Sequence, residues 1–431
     1  VPSPLVSRPF GEWIEPVELY LGGPAQDDLG FWLDAGQDAG TGWSYLGIGD
    51  SAAGAPRDLA IGGQSAVAGA PPFQGGWVGW LDYDDAAARA GAPSHRGSAA
   101  PGGAGVHVRR LVAADHATRR LWLCAPTDEL DAFELTVRSW RRALPALRAP
   151  EPVPAIARHT AAAYARLIGR CREAIREGDA YQLCLTTRFT VEAVVDPVTA
   201  YLRLRAATPS HHGGIIRVGP RSLVSASPER FLEISAGTVR THPIKGTRPR
   251  GATGEEDRQL IDELRASAKE RAENVMIVDL MRNDLQRVCV PGSVVVDRLL
   301  DVESYAAVHQ LVSAISGTLT AGARIGEVLD ATFPAGSMTG APKLSAMSIL
   351  HALEGAERGV FAGCFGWIGQ DGAADLAMVI RSIVFEREGV YVGAGGGITW
   401  HSDASAEVAE VGVKARGPLA ALGATLPPGW D

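Results

Sequence analysis

Strand-like runs in this chain come in clusters between helices instead of alternating with them one for one, and this order limits the fold more than any other feature. "GWSYLGIG", "GGWVGWLDY" and "TRRLWLC" lie in the first part, "YQLCLTTRFTVEAVV", "RSLVSASPERFLEIS" and "TVRTHPIKG" follow later, and "DLAMVIRSIVFE" and "VYVGAGGGITW" read as a hairpin near the end. Strict alternation would build a doubly wound parallel sheet, whereas clustered strands predict an α+β fold with mostly antiparallel sheets. Three helical stretches stand out. "AAAYARLIGRCREAIREGD" is amphipathic and ended by Gly178, a long helix covers residues 255–287, and a last helix starts near Ser402 or Asp403, either of which can cap it. No internal repeat is present.

At 431 residues the chain exceeds the size at which one core usually stops growing, about 250 to 300 residues, so two lobes or one large composite fold are expected. Residues 1–150 are rich in Gly, Pro, Ala and Trp, and "ALPALRAPEPVPAIA" over 143–157, with a proline every few residues, suits neither helix nor strand. This predicts an N-terminal lobe over 1–150, a linker, and a second domain over 158–425. Hydrophobic residues at 46% and charged residues at 21% exclude a disordered chain. A net charge of -8 with no basic stripe gives no footprint for nucleic acid. No run approaches 18 apolar residues and the first residues lack a basic segment followed by an apolar one, which predicts a cytoplasmic protein without a membrane span. The five cysteines are odd in number and scattered, as reduced core cysteines are.

Only four of the 41 basic Lys and Arg residues are lysines: Lys245, Lys269, Lys343 and Lys414. An ammonium can lose its proton and become a nucleophile or base, and a guanidinium at ordinary pH cannot. Each lysine is therefore a candidate for a task closed to arginine, against the plain alternative that four survived a compositional drift. Lys245, in "HPIKGTRPRG", is the most conspicuous. Acids pair up on two helices. Glu270 and Glu273 share one face by their i,i+3 spacing, and Glu407 and Glu410 repeat it, with Lys414 four residues on. Two such pairs could line a site for a hard cation such as Mg²⁺, although either pair alone is more often a solvated helix face. Gly412, inside the second of these helices, costs about 1 kcal/mol relative to Ala and hints at a close approach.

"GAGGGITW" and "FPAGSMTGAPK" are glycine-rich stretches that would let backbone N–H groups approach an anion, though neither matches a nucleotide-binding fingerprint. Arg381, within "MVIRSIVF", must find an anion, either a structural carboxylate or one on a bound molecule. Glu229 follows Pro228 at a strand end, where an acid can enter a cleft or pair with Arg230 or Arg221. His309 reads as a core histidine, and Gln182 opens a strand.

Taken together, "SPERFL", "PIKGTRPRG", "KERAENVMIVDLMRNDL", "FPAGSMTGAPK", "GAGGGI" and "AEVAEVGVKA", in this order over about residues 159–420, resemble the chorismate-utilising enzymes, which include component I of anthranilate synthase and of aminodeoxychorismate synthase. The resemblance implies an anthranilate synthase component I-like fold, with antiparallel sheets packed as a sandwich and helices outside. It further implies Mg²⁺ as cofactor, with Glu273 and Glu410 as direct ligands and Glu270 and Glu407 holding its waters. Arg381 and the backbone of Gly395, Gly396 and Gly397 would bind the enolpyruvyl carboxylate of chorismate, Ser337 and His309 would line the ring pocket, and Thr247 and Lys414 would complete the substrate site. Relatives that add water carry a lysine base at the position of Gln182, so Gln182 points to the ammonia-using branch. Anthranilate synthases carry alanine at the position of Lys245, so "PIKGT" points to the branch that aminates C4, with Lys245 and Glu229 as catalytic groups and anthranilate synthesis as the alternative. Phe361 departs from the tyrosine common in the family. The resemblance also implies ammonia delivered by a glutamine amidotransferase subunit in a heterodimer, since no cysteine here sits in a Gly-x-Cys-x-Gly elbow. It does not settle whether the product serves folate through p-aminobenzoate or an amino-aromatic secondary metabolite.

Overall fold

Backbone pairing builds two long sheets that share one strand. The computed structural model describes residues 4–62, 69–95, 102–148, 150–192, 195–305 and 308–431. In the first sheet neighbours follow the order Arg120–Pro126, Gly103–Asp115, Trp43–Ala52, Gly30–Asp34, His212–Val218, Arg221–Ser227, Ser382–Glu386, Gly389–Ile398 and Gln182–Val191. In the second the order is Gly103–Asp115, Gly76–Leu81, Cys364–Gly369, Ala374–Met378, Arg230–Ser235, Thr238–Thr241 and Val308–Thr318, with Val295–Ser304 and Ile244–Pro249 also on the last strand. Every one of these ladders is antiparallel, and the fold is α+β as the clustering of strands predicts.

Side-chain alternation along the strands separates two cores. Phe31 and Leu33, Leu111 and Ala113, Ile216, Leu223, Val384 and Tyr391 point into a core between the sheets that continues to Ile277, Val278 and Met281 on the helix Ala268–Gln286. Trp32, Val112, Ala114, Ile215, Val224, Ile383 and Val392, their neighbours in sequence, point the other way, onto the helices Ala161–Glu177, Lys343–Glu354 and Ala404–Ala421. The first 126 residues supply interior strands to both sheets and do not stand apart from the rest: Gly30–Asp34 pairs with His212–Val218, and Gly76–Leu81 with Cys364–Gly369. The five cysteines are free and buried. Among the described residues no helix is long and apolar enough to cross a membrane.

Helix ends follow their local chemistry, with two departures from expectation. Ala161–Glu177 ends at Gly178 in the left-handed region (φ 90°), and Asp403, of the two candidates, caps Ala404–Ala421 by accepting from Ser405 and Ala406 N–H. The helix expected over 255–287 is two helices, Gly254–Ala266 and Ala268–Gln286, because Ser267 turns extended and its hydroxyl accepts from the Glu270 N–H. The run "DLAMVIRSIVFE" is likewise two strands, Ala374–Met378 in the second sheet and Ser382–Glu386 in the first; only the latter forms the hairpin with Gly389–Ile398. The strand expected over 181–195 ends at Val191, and its residues 193–194, like residue 149 of the linker, lie outside the described residues.

Gly412 has the close approach its position suggests: a Cβ there would lie 1.8 Å from the Trp430 carbonyl oxygen. Gly412→Ala gains about 1 kcal/mol of helix propensity and loses more by forcing that carbonyl away. A net destabilisation of about 1–3 kcal/mol in urea unfolding is expected, and an unchanged or raised midpoint would contradict it.

Candidate active site

Two adjacent strands leave one sheet for the other at the same level, and the corners they make open the site. One passes from Arg221–Ser227 to Arg230–Ser235 through Pro228 and Glu229, and the other from Ala374–Met378 to Ser382–Glu386 through residues 379–381. The corners are tied by Met378 N–H to the Glu229 carbonyl (3.0 Å) and Ala226 N–H to the Arg381 carbonyl (3.2 Å). Sheets that exchange strands in this way need bends there, and the bends project side chains that a straight strand would keep in the core. Arg381 has φ +52°, an uncommon conformation for a residue with a side chain.

Both corners face a cavity of about 530 Å³ lined by Glu229, Lys245, Thr247, Ser337, Arg381, Gly395, Gly396, Gly397 and Lys414 and by all four glutamates, Glu270, Glu273, Glu407 and Glu410. Lys245 reaches it through a bulge. Pairing of Ile244–Pro249 with Val308–Thr318 slips between Ile244 and Thr247, and Gly246 in the gap has φ +87°. A side chain at Gly246 would press on the Glu270 carboxylate at 3.1 Å. The Lys245 ammonium makes no ion pair or hydrogen bond among the described residues. It lies beside the Gln182 amide, since a Cβ placed on Gly397 would be 3.5 Å from the lysine Nζ and 2.6 Å from the Gln182 Nε2. The glycine-rich segment is part of the hairpin strand Gly389–Ile398, and its missing side chains make the room in which these groups meet. Gln182 is fully buried, yet neither end of its amide has a partner, a loss of about 1–3 kcal/mol that marks it as aimed at something other than the fold.

Four carboxylates meet on the far wall. Glu270 pairs with Arg248 (3.7 Å), Glu410 with Lys414 (2.7 Å), and Lys269 lies 3.4 Å from Glu407 and 3.9 Å from Glu273. Glu407 also accepts from Ser402 (2.7 Å). Glu273 is 8% exposed and its Oε1 has no hydrogen bond. Burial pushes its pKa up, against the charges of Lys245 and Lys269. Burial would do the same to Glu410, but Lys414 and its hydrogen bond hold that carboxyl below the ordinary range. Among the described residues no three His, Cys, Asp or Glu side chains form a ready-made metal cage. A buried carboxylate oxygen without a hydrogen bond, flanked by three more acids, still suits a hard cation that takes one or two carboxylates and fills its remaining positions with water and substrate oxygens.

Glu229 is recessed in the opposite wall. Burial raises its pKa, while Lys245, the Ser337 hydroxyl and Lys414 act to lower it. The Arg381 guanidinium has no ion pair or hydrogen bond among the described residues, and burial lowers its pKa. Glu410 acts on it only at a distance, without an ion pair, so the guanidinium is open to an anion entering the cavity. The Gly395 carbonyl accepts from Lys414 (2.9 Å), which ties that lysine to the glycine strand. His309 is the one expected site residue that faces away. Its neighbours Val308 and Gln310 line the cavity, while its own ring, on the other face of the strand, bonds Ser304 (2.8 Å) and Asp257 (2.9 Å). Its work in the structure is to pin the helix Gly254–Ala266 to the strand.

Sequence reasoning missed the support beneath the floor. Arg358, 3% exposed, donates to the carbonyls of Met338 (2.7 Å) and Cys184 (2.8 Å), both in the cavity wall, and pairs with Glu354, which accepts from the Thr186 N–H (2.9 Å). The i,i+4 spacing of Glu354 and Arg358 was the available signal. Lys343, partly buried, donates to Asp284 (2.6 Å) and the Thr332 carbonyl.

The chain matches the model of the chorismate binding enzyme family over residues 49–420. It is 42% identical over 368 residues to an aminodeoxychorismate synthase of Streptomyces pristinaespiralis, which covers 81% of this chain and 51% of that protein. It is 37% identical to anthranilate synthase component 1 of Streptomyces coelicolor, over 97% of this chain and 88% of the relative. The chain thus spans about half the length of the first relative and most of the second. The crystal structure of anthranilate synthase component I from Streptococcus pneumoniae superposes with a TM-score of 0.72 at 26% identity, covering 97% of this chain and 92% of that one. A cavity walled by an unpaired arginine, an unpaired lysine and facing pairs of acids, a match that contains every residue of that wall, and this superposition lead to one assignment: the chain belongs to the chorismate binding enzyme family.

Proposed function

We propose that the chain is the chorismate-aminating component of an aminodeoxychorismate synthase, replacing the C4 hydroxyl of chorismate with ammonia. The observation that carries the reading is Lys245, an amine delivered by a bulge into the cavity without an ion pair, between Glu229 and the Gln182 amide. A fully paired lysine would be structural; an unpaired amine in this cavity supports a nucleophilic role. Gln182, in place of a lysine base, leaves nothing at that position to activate water.

In this reading Arg381 takes the enolpyruvyl carboxylate, and Thr247, Ser337 and the glycine strand shape the ring site. Mg²⁺, held by Glu273 and Glu410 with Glu270 and Glu407 on its waters, would supply positive charge for the ring carboxylate. Neutral Lys245 forms a bond to C2 as the ring double bonds shift and the C4–O bond breaks, and Glu229 gives its proton so that the hydroxyl leaves as water. Ammonia then bonds to C4, the double bonds return, and the C2–N bond breaks to release the lysine. Ammonia comes from a glutamine amidotransferase subunit. The purified chain is therefore expected to use ammonium and not glutamine.

Incubation with chorismate, Mg²⁺ and ammonium tests the reading. The product should be aminodeoxychorismate, which is not aromatic. The fluorescence of anthranilate as the main product would favour the second reading, to which the near-full-length match to an anthranilate synthase component gives weight.

Glu229 carries its own prediction. Glu229→Ala should slow loss of the C4 hydroxyl by about 10² or more. Because its raised pKa keeps the acid form at higher pH than an ordinary carboxyl, the wild-type rate should fall on the alkaline side as Glu229 loses its proton, and Glu229→Gln should remove that limb. A pH profile identical in the two proteins would place the proton elsewhere.

A further inference from the structure

Three of the cavity's cations form ion pairs with its four glutamates, and the three are not equivalent. Arg248 belongs to Glu270 and Lys414 to Glu410, each pair joining one cation to one acid. Lys269 is shared. Its ammonium lies 3.4 Å from the Glu407 carboxylate on one helix and 3.9 Å from Glu273, one turn along its own helix. It is the only one of the three that bridges the two acid-bearing helices, Ala268–Gln286 and Ala404–Ala421. Its side chain is 50% exposed, whereas those of Glu273 and Glu407 are 11% and 4% exposed. Two recessed acids are thus bridged by a cation whose own stem is free to swing into solvent.

We infer that Lys269 is a tethered counter-ion, holding the two acid helices together when no metal is bound and withdrawing when a divalent cation enters. The inference rests on the Mg²⁺ reading above and adds to it. Without Lys269, neither Glu273 nor Glu407 would keep an ion pair among the described residues, and like charges brought together out of water repel strongly. The Oε1 of Glu273, 3.9 Å from the ammonium and without a hydrogen bond, shows that the ammonium does not complete the site: it neutralises without coordinating. A metal ion and the ammonium cannot both stand between these acids. The lysine therefore competes with the metal, and the measured affinity for Mg²⁺ is the intrinsic affinity lowered by the cost of displacing it. Lysine suits this task better than arginine, because a single-point charge on a flexible stem leaves without breaking a bidentate fork.

The test is calorimetric titration of chelator-treated protein with Mg²⁺, together with thermal unfolding in metal-free buffer and in saturating Mg²⁺. Lys269→Met keeps the length of the stem and removes the charge. It should bind Mg²⁺ at least about tenfold more tightly, the effect of one nearby like charge, and its melting temperature should fall in metal-free buffer and recover with Mg²⁺. Lys269→Arg, which keeps the charge, should not bind more tightly than wild type. Equal or weaker Mg²⁺ binding by Lys269→Met, alongside normal binding by wild type that is lost in Glu273→Gln, overturns the counter-ion while leaving the metal site standing. Absence of Mg²⁺ binding by the wild-type protein overturns both.

Discussion

Lys245→Arg is expected to lose C4 amination by about 10³-fold or more, the scale of removing a positioned nucleophile, although it keeps the positive charge. The guanidinium does not give up its proton at working pH and cannot later depart from carbon. Charge alone would predict the opposite, so the substitution separates a covalent role from an electrostatic one. Lys245→Ala opens C2 to direct attack by ammonia, and some anthranilate-type product should appear by fluorescence. The most direct readout is mass spectrometry: wild-type protein quenched with chorismate in the absence of ammonia should carry an adduct on the peptide that contains Lys245. If no adduct forms and Lys245→Arg makes aminodeoxychorismate at the normal rate, the lysine is only a charge. Gly246 bears on the same point, since the bulge that presents Lys245 needs its positive φ and its missing Cβ.

Glu273→Gln should reduce chorismate turnover by about 10²-fold or more, the several kcal/mol that a correctly held metal supplies. Its fold should hold, and its melting temperature should stay level or rise. The reason is visible in the unsubstituted protein, where a buried carboxylate with one oxygen lacking a hydrogen bond is a cost to the fold. Gln is nearly isosteric and removes the charge that burial opposes. Glu410→Gln should lose activity as well, but it also breaks the 2.7 Å pair with Lys414, so its stability should drop slightly. Near-normal consumption of chorismate by Glu273→Gln at saturating Mg²⁺ would show that the four acids hold no catalytic metal.

Much of this site is legible in the sequence because its groups repeat at periods set by backbone geometry. The i,i+3 spacing of the two acid pairs is a helical signal, and both helices do turn those pairs into the cavity. The rarity of lysine is chemical information that does not depend on the fold, and three of the four lysines, Lys245, Lys269 and Lys414, line the cavity, Lys269 among the acids. What the sequence concealed depends on where strands leave their sheets. "MVIRSIVF" reads as one apolar run because residues on either side of the corner are buried, although in different sheets. His309 sits one residue out of phase with the cavity, and alternation can be read only once it is known which face of the strand looks inward. Ser267 ends one helix and begins another with a single hydroxyl, too small a signal against the charged, helix-favouring residues on both sides.

The strand Gly103–Asp115, shared by both sheets, also governs the order in which the protein can be made. Its own partners are near in sequence, but the pairings beyond them are distant: Gly76–Leu81 waits for Cys364–Gly369, Gly30–Asp34 for His212–Val218, and Gln182–Val191 for Gly389–Ile398. A ladder built from such distant segments closes slowly, because loop entropy is lost before the contacts form. On the ribosome, therefore, the second sheet cannot close before Ala374–Met378 has emerged, nor the first before Gly389–Ile398. The helix bearing Glu407 and Glu410 emerges later still. Until then the growing chain exposes long unpaired strand edges, and it is during synthesis, more than after it, that this protein stands most in need of chaperone protection.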